Sequence, residues 1–465
     1  MKATHYLLAL TTLLLGLAYS FPYTATADNG SRITDIYSNI SSANNLTKAD
    51  TANPVNYQLA IIEALGVSKE NEEVLFDKEG NVIELDLSCK GFDRLPEQIT
   101  HLKHLRKLNL TSNSLENLPA YFSHLNQLTN LNLSNNSFEQ FPEPLKQLKG
   151  LRSLDLSFNK LRQLPSSVGS LDQLTNLNLK GNFFEEFSKG IGKFKNLQSL
   201  DLRDNFLNSL PPAFFKLKNL QVLDLSYNYI NTLPKNIKKL KGLVSFTYIG
   251  RKETSIYPEN TAIYQQEFVW GVDDFSTEAI PMEEWGSPDI IDGKEIKEPY
   301  QGLDALPSSF GELSNLKHLN LSRNNLTTIP ATLGDLSQLI FLDLSGNNIE
   351  NITNNIVELK SITDINLSYN SLTHLPQNIG GLTKLTTLLL QGNKLEEIPA
   401  SISRLKNLTQ LNLFSNQLTD LPENLFDLGR NKPEKCLINI NNNKITLPKK
   451  QLQSKYANID FDFLY

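Results

Sequence analysis

The side chains of this chain best suited to binding chemistry are aromatic and charged residues that replace small polar ones in consecutive segments of similar sequence. A surface that mixes aromatic rings with charges is what a protein or glycan partner needs, because rings anchor interfaces and charges surround them. Neutral drift on a solvated surface is the alternative explanation. The candidate ligand-binding residues are Phe158, Lys180, Arg203, Asp204, Tyr227, Tyr248, Trp270 and Trp285.

The two tryptophans lie in a segment of foreign composition, residues 252–300. Between residues 251 and 300 there are twelve acidic and four basic residues, a net charge of −8, whereas the whole chain carries −6. Loops of this length are uncommon and often functional, although a long surface loop costs little in closure entropy. We predict an acidic, aromatic insertion that either contributes to a binding site or is a tolerated loop.

Catalytic motifs are absent from the sequence. There is no phosphate-binding glycine loop, no Gly-x-Ser-x-Gly and no His-Glu-x-x-His. We therefore predict no enzyme, no cofactor and no metal, with His101 and His124 solvated. The acidic balance argues against nucleic acid as a partner. A weaker alternative is a glycoside hydrolase borne by the insertion, with paired carboxylates such as Glu283 and Glu284.

A recurring asparagine shows which elements must position these residues. The asparagine returns every 23 residues within a frame of leucines, as in the segment 151–165. Leucines two apart predict a short strand, and the asparagine amide can satisfy the backbone of the turn that follows. A fixed period of this length predicts a stacked solenoid. The structural asparagine ladder comprises Asn113, Asn136, Asn159, Asn182, Asn205, Asn228, Asn324, Asn347, Asn370, Asn393 and Asn416.

The frame, from about Val82 to Pro448, resembles the 23-residue leucine-rich repeats of bacterial proteins and of the Ras-group family of plants and animals. The resemblance implies an α/β repeat solenoid, a leucine-rich repeat horseshoe with one parallel sheet on the concave face and irregular or short helical convex segments. It also implies that partners bind the concave face. A column of Asn and Asp on that face, from Asn109 to Asn412, is ordinary for this repeat type.

The segments outside the repeats suggest how the chain is organised. Lys2 and His5 precede an apolar run that Ala25-Thr26-Ala27 follows, the pattern of a secretory signal peptide. The run is too short for a spanning helix, so we predict no membrane span after its removal. The predicted divisions are a signal peptide (1–27), a flexible polar leader (28–52), an N-terminal helical cap (53–81), repeats (82–251), the insertion (252–300), repeats (301–448) and a C-terminal cap (449–465).

Cysteine content bears on the source of the chain. Cys89 and Cys436 are its two cysteines, and they lie in the first and last repeats. Secreted animal and plant repeat proteins usually cap their ends with cysteine clusters, so we favour a bacterial protein that is secreted or held in the cell envelope. The predicted function is a recognition scaffold for a protein ligand, and the alternative is a glycan or peptidoglycan binding protein. The identity of the partner and the oligomeric state stay open.

Overall fold

The computed structural model describes residues 54–70, 72–187, 189–250, 302–428, 435–457 and 459–461. All of them belong to one unit of the chain, which spans residues 36–252 and 299–465. The predicted signal peptide, the leader and the insertion lie outside the described residues.

The described chain forms one sheet of sixteen strands in sequence order. Strands β2 to β16 pair in parallel with their neighbours, as in the pairing of Leu154 with Leu177. The predicted repeat solenoid with a parallel sheet is therefore confirmed. The strands are β1 Val74–Phe76, β2 Val82–Asp86, β3 Lys107–Asn109, β4 Asn130–Asn132, β5 Ser153–Asp155, β6 Asn176–Asn178, β7 Ser199–Asp201, β8 Val222–Asp224, β9 Ser245–Thr247, β10 His318–Asn320, β11 Phe341–Asp343, β12 Asp364–Asn366, β13 Thr387–Leu389, β14 Gln410–Asn412, β15 Cys436–Asn439 and β16 Ile459–Phe461.

Side-chain alternation along each strand places the leucines in the core. Leu154 and Leu156 point inward and are almost fully buried, whereas Ser153 and Asp155 between them are partly exposed on the opposite face. The same alternation recurs in each repeat, and the inward residues form one continuous hydrophobic cluster. A single repeat could not bury these leucines, so stacking of neighbours creates the core.

The side opposite the sheet consists of short 3₁₀ helices. Most of them follow a proline, because its ring fixes φ near the value that the first turn needs. At Gly311 a Cβ atom would lie 2.0 Å from the carbonyl oxygen of Thr332, so adjacent helices approach closely there. The helices are Glu97–His101, Ala120–His124, Glu143–Gln147, Ser166–Ser170, Lys189–Lys193, Phe214–Lys216, Lys235–Lys239, Ser308–Glu312, Ala331–Asp335, Asn354–Glu358, Ile379–Gly381, Ala400–Arg404 and Glu423–Asp427.

The sheet continues across residues 251–301. Strand β9 pairs in register with β10, so that Phe246 aligns with Leu319 just as neighbouring leucines do elsewhere. Asn324 also links the two sides, because its Nδ2 donates to the carbonyl of Tyr248 at 2.7 Å and its Oδ1 accepts from the amide of Leu303 at 2.8 Å. Residues on both sides of the gap therefore build one repeat.

Both ends of the core are covered. At the N-terminal end, helix α1 (Pro54–Ala64) buries Ile61 and Ile62, and strand β1 pairs antiparallel with β2. The sheet is thus not wholly parallel, a departure from the single parallel sheet expected. At the C-terminal end, helix α2 (Lys449–Lys455) leads to β16, and Tyr456 is fully buried with its ring 6.1 Å from that of Phe461.

Candidate functional site

The side chains of the asparagine ladder form hydrogen bonds to backbone groups. Asn182 Nδ2 donates to the carbonyls of Leu156 at 2.9 Å and Leu179 at 3.1 Å, and its Oδ1 accepts from the amide of Leu161 at 2.9 Å. The other ten ladder asparagines bond in the same way to their own repeat and to the preceding one, from Asn113 to Asn416. These amides hold the turns together and leave little capacity for a ligand.

The polar column on the sheet face is also structural. In each of the ten Asn and Asp residues of the column, from Asn109 to Asn412, the Oδ1 atom accepts the amide hydrogen two residues further along. Several members also bond sideways, as Asn178 does to Asp155 at 2.9 Å. A residue that fixes its own turn in this way is poorly placed to recognise a sugar.

Five of the predicted ligand-binding residues lie together where the strands β5 to β8 turn outward. We call Phe158, Lys180, Arg203, Asp204 and Tyr227 the aromatic–charged patch. Phe158 is 42% exposed and Tyr227 is 37% exposed, although both are large and apolar. The three charged members are partly buried. The patch therefore presents two rings to solvent with charges between them.

A glycine in the next repeat supports the Phe158 ring. Phe158 has φ 51°, and Gly181, at the corresponding place one repeat on, has φ 63°. A Cβ atom on Gly181 would lie 2.6 Å from Cδ1 of Phe158, so a larger residue there would displace the ring. The ammonium of Lys180 lies 4.9 Å from the centre of the same ring, a cation–π contact. The ring and the cation are consequently held as a unit.

Arg203 lies between two aspartates of adjacent strands. Its Nε donates to Asp201 Oδ2 at 2.9 Å, its Nη2 lies 2.5 Å from the same oxygen, and its Nε lies 3.5 Å from Asp224 Oδ2. Burial and, to a smaller extent, the Asp201 carboxylate raise the pKa of Asp224 to about 7, against the opposite effects of Arg203 and of the hydrogen bonds from Ser226. Burial and the neighbouring carboxylate thus make Asp224 titratable near neutral pH.

Tyr248 does not belong to the patch, and its prediction as a ligand-binding residue is wrong. Its side chain is fully buried, because it occupies the inward position that Leu225 and Leu321 occupy in neighbouring repeats. Its hydroxyl donates to the carbonyl of Ile230 at 2.7 Å, which satisfies the polar end inside the core. Trp270 and Trp285 lie outside the described residues.

A row of neighbouring rings lies beside the patch, and the sequence did not lead us to predict it. The ring centres of Phe183 and Phe206 are 5.9 Å apart, as are those of Phe206 and Tyr229. Arg162 lies over Phe183 at 5.5 Å. All three rings are partly buried. Their 23-residue spacing is the signal that would have found the row, since each ring directly follows a ladder asparagine.

Within the described ranges there is no cluster of three or more His, Cys, Asp or Glu side chains that could hold a metal ion. His101 and His124 are exposed, as predicted, and the Nδ1 of His101 lies 2.7 Å from the hydroxyl of Tyr57. Among those same ranges, no helix is both long and apolar enough to cross a membrane.

Comparison with known proteins identifies the family. Models of the leucine rich repeat match residues 81–138, 150–171, 195–247, 303–349, 342–395 and 362–418, which together make up more than half of the chain. The chain belongs to the leucine-rich repeat family. No curated protein sequence matches the chain.

Solved structures share the fold. A leucine-rich repeat protein of Leptospira interrogans is 28% identical with a TM-score of 0.67, and the match covers 87% of this chain and 98% of that one. The ectodomain of the plant membrane receptor kinase GASSHO1/SCHENGEN3 from Arabidopsis thaliana, in complex with CASPARIAN STRIP INTEGRITY FACTOR 2, is 25% identical with a TM-score of 0.52 over 79% of this chain and 42% of that one. An internalin, InlF, from Listeria monocytogenes is 18% identical with a TM-score of 0.59, over 89% of this chain and 98% of that one. Family and neighbours support a scaffold for protein–protein interaction.

Proposed function

We propose that this chain is an exported recognition scaffold that binds a protein partner through the aromatic–charged patch. The observation that carries the proposal is the exposure of two large side chains at one place on the sheet face. In the described ranges the exposed large hydrophobic residues are Leu75, Phe158, Tyr227 and Leu437, and two of these four lie in the patch. Aromatic anchors ringed by charges are typical of the energetic centres of protein interfaces.

The comparisons support this choice of partner class and location. The receptor kinase ectodomain was solved in complex with CASPARIAN STRIP INTEGRITY FACTOR 2, so a leucine-rich repeat protein of similar fold has a partner of its own. Export is proposed from the signal-peptide pattern of residues 1–27. The partner would therefore be met outside the cytoplasm, at another cell, a host or the envelope of the same cell.

No observation on the described residues favours the glycan or hydrolase alternatives. A sugar platform built on the Asn and Asp column would need amide and carboxylate oxygens that already accept backbone amides. The tryptophans of that platform, and the hydrolase pair Glu283 and Glu284, lie outside the described residues. A protein ligand is accordingly the function that we put forward.

Quantitative capture tests the proposal. The chain from Asp28 onward is immobilised and exposed to envelope and secreted fractions, beside a double variant, Phe158→Ser with Tyr227→Ser. Leu437→Ser is the matched control, because Leu437 is 39% exposed on the same face but far along the sheet in β15. We expect the parent and the control to capture a discrete protein. The double variant should lose it or bind it at least about thirtyfold more weakly, since one interface anchor contributes about 2 kcal/mol or more.

Capture that survives the double variant, or that the Leu437→Ser control reduces equally, would contradict the proposal. Circular dichroism of each variant excludes unfolding as the cause of a loss. Binding of the parent to a glycan array, unaffected by the double variant, would favour the glycan alternative instead.

A further inference from the structure

We infer that the partner presents an acidic side chain, Asp or Glu, to the ammonium of Lys180, with the Phe158 ring as the apolar surface beside it. The inference rests on the proposed function and specifies the chemistry of its ligand.

Lys180 is a cation whose charge the described protein does not neutralise directly. Its Nζ lies over the Phe158 ring but forms no hydrogen bond or ion pair with any described residue. Burial lowers the pKa of Lys180, and the charge of Arg203 lowers it further. The carboxylates of Asp201, Asp204 and Asp224 act in the opposite direction. The half-buried ammonium has exchanged part of its hydration for a ring and has no hydrogen-bonded anion, and an incoming carboxylate supplies that bond.

The nearby carboxylates on the sheet face are already engaged. Asp201 is held by Arg203, and Asp224 accepts both the amide and the hydroxyl of Ser226, at 2.9 Å and 2.6 Å. Asp155 accepts from Ser157 and from Asn178. These bonds direct the three carboxylates to their own turns. Neither they nor Asp204 forms an ion pair with the Lys180 ammonium, which is therefore open to a carboxylate of a partner.

The geometry is fixed before binding. Phe158 rests on Gly181, where any Cβ would collide with the ring, and the ring in turn positions Lys180. A cation held in one place loses less side-chain entropy on binding than a freely moving lysine does. The arrangement is therefore suited to recognition rather than to general solvation.

Selection of peptides tests the inference. A randomised peptide library is displayed as an internal loop, so that no terminal carboxylate is present, and is selected on the chain from Asp28 onward. Peptides are kept when Phe158→Ser with Tyr227→Ser abolishes their binding. We expect these peptides to share an Asp or Glu at one position. Lys180→Gln should weaken them about tenfold, the value of one charged hydrogen bond, and Lys180→Arg should retain most of the affinity.

A double-mutant cycle decides the pairing. Replacing the peptide acid by its amide should also weaken binding about tenfold, and should add little once Lys180→Gln is present. Patch-dependent peptides that lack a shared acid, or effects that simply add, would overturn the inference and leave the proposed function standing. Failure to obtain any patch-dependent peptide would overturn both.

Discussion

Among the residues of each repeat, the ladder asparagine and its sheet-face neighbours have separate roles. Asn182 forms four hydrogen bonds to backbone groups that are otherwise buried, whereas Lys180, two positions before it, projects from the surface towards the Phe158 ring. In the first repeat Lys90 occupies the asparagine position, and its ammonium reaches the carbonyl of Gly66 at 3.3 Å and Glu73 at 2.8 Å. The position thus requires a donor to the preceding turn.

Replacing Asn182 with Ala should destabilise the protein by on the order of 3 kcal/mol, because several buried backbone groups lose their partner at once. Asn176→Ala is the matched control in the same repeat, since Asn176 is partly exposed on β6 and should change stability by less than about 0.5 kcal/mol. Urea unfolding monitored by circular dichroism measures both. Equal stabilities of the two variants would show that the ladder bonds contribute little.

Stability should depend on pH through Asp224. Its pKa is raised to about 7 in the folded protein, above the unfolded value of about 4. The folded state therefore binds this proton more tightly, and the associated stability is present below about pH 4 and is lost as the pH rises towards 7. Asp224→Asn keeps the acceptor for Ser226 and removes the charge. The free energy of unfolding of the variant should therefore increase relative to that of the parent as the pH rises from 4 to 7.5. A stability difference that stays constant over this range would contradict the assignment.

Two residue assignments show the limit of reading the sequence alone. Tyr248 looked like part of the surface because it lies beside other aromatic departures, but strand alternation turns it into the core. The 23-residue spacing of Phe183, Phe206 and Tyr229 is visible in the sequence, yet only the structure shows that neighbouring rings are in contact and that Phe206 and Tyr229 stack. The position of a residue within the 23-residue repeat predicts whether its side chain points into the core or to the surface. Contacts between surface side chains depend on their rotamers, which the repeat pattern does not specify.

Among the elements, the turn after each strand carries a recurring support for aromatic rings. Tyr369 lies against Gly392 as Phe158 lies against Gly181, with a Cβ distance of 2.6 Å to the ring at both glycines. Gly346 differs, because its nearest neighbour is Arg323 at 3.4 Å, an ordinary contact. All three glycines have φ between 63° and 69°. The turn therefore sets the backbone, and the residue one repeat earlier decides whether a ring rests there.

Gly181→Ala should displace the Phe158 ring and weaken partner or peptide binding, whereas Gly346→Ala should leave binding unchanged. Both variants lose a similar stability of about 1 kcal/mol because a Cβ is placed at positive φ. The difference between their binding affinities therefore reports the effect of displacing the Phe158 ring. Thermal unfolding and peptide affinity are measured on both. Equal affinities would show that the position of Phe158 does not matter to recognition.

The molecule as a whole was largely predictable because one period dictates it. The frame of leucines and asparagines predicted the strands, the stacking and the core, since each repeat repeats the same contacts with its neighbours. The antiparallel strand β1 was not predicted, because it lies outside the frame and depends on its pairing with β2. For the binding surface, the sequence predicted which face of the sheet it lies on but not the contacts between its side chains. Its particular contacts, such as the engagement of Arg203 by Asp201, arise between repeats and have no signature in any single one.

Deleting residues 252–301, with Arg251→Asn to supply the ladder residue, restores the 23-residue spacing. We expect this variant to fold and to unfold in one cooperative transition, because β9 already pairs with β10 in register and Asn324 links both sides. Far-UV circular dichroism and thermal unfolding provide the check. Two separate transitions would indicate that the halves are not one stack.

Site-specific photo-crosslinking tests the central claim most directly, namely that the aromatic–charged patch is where a protein partner binds. A benzophenone amino acid is placed at position 158, 227 or 437, and the chain is irradiated with the envelope and secreted fractions of its source cells. Positions 158 and 227 should each yield the same discrete protein adduct, and position 437, similarly exposed on the same face, should yield none. Adducts that form equally at all three positions, or only at 437, would contradict the claim.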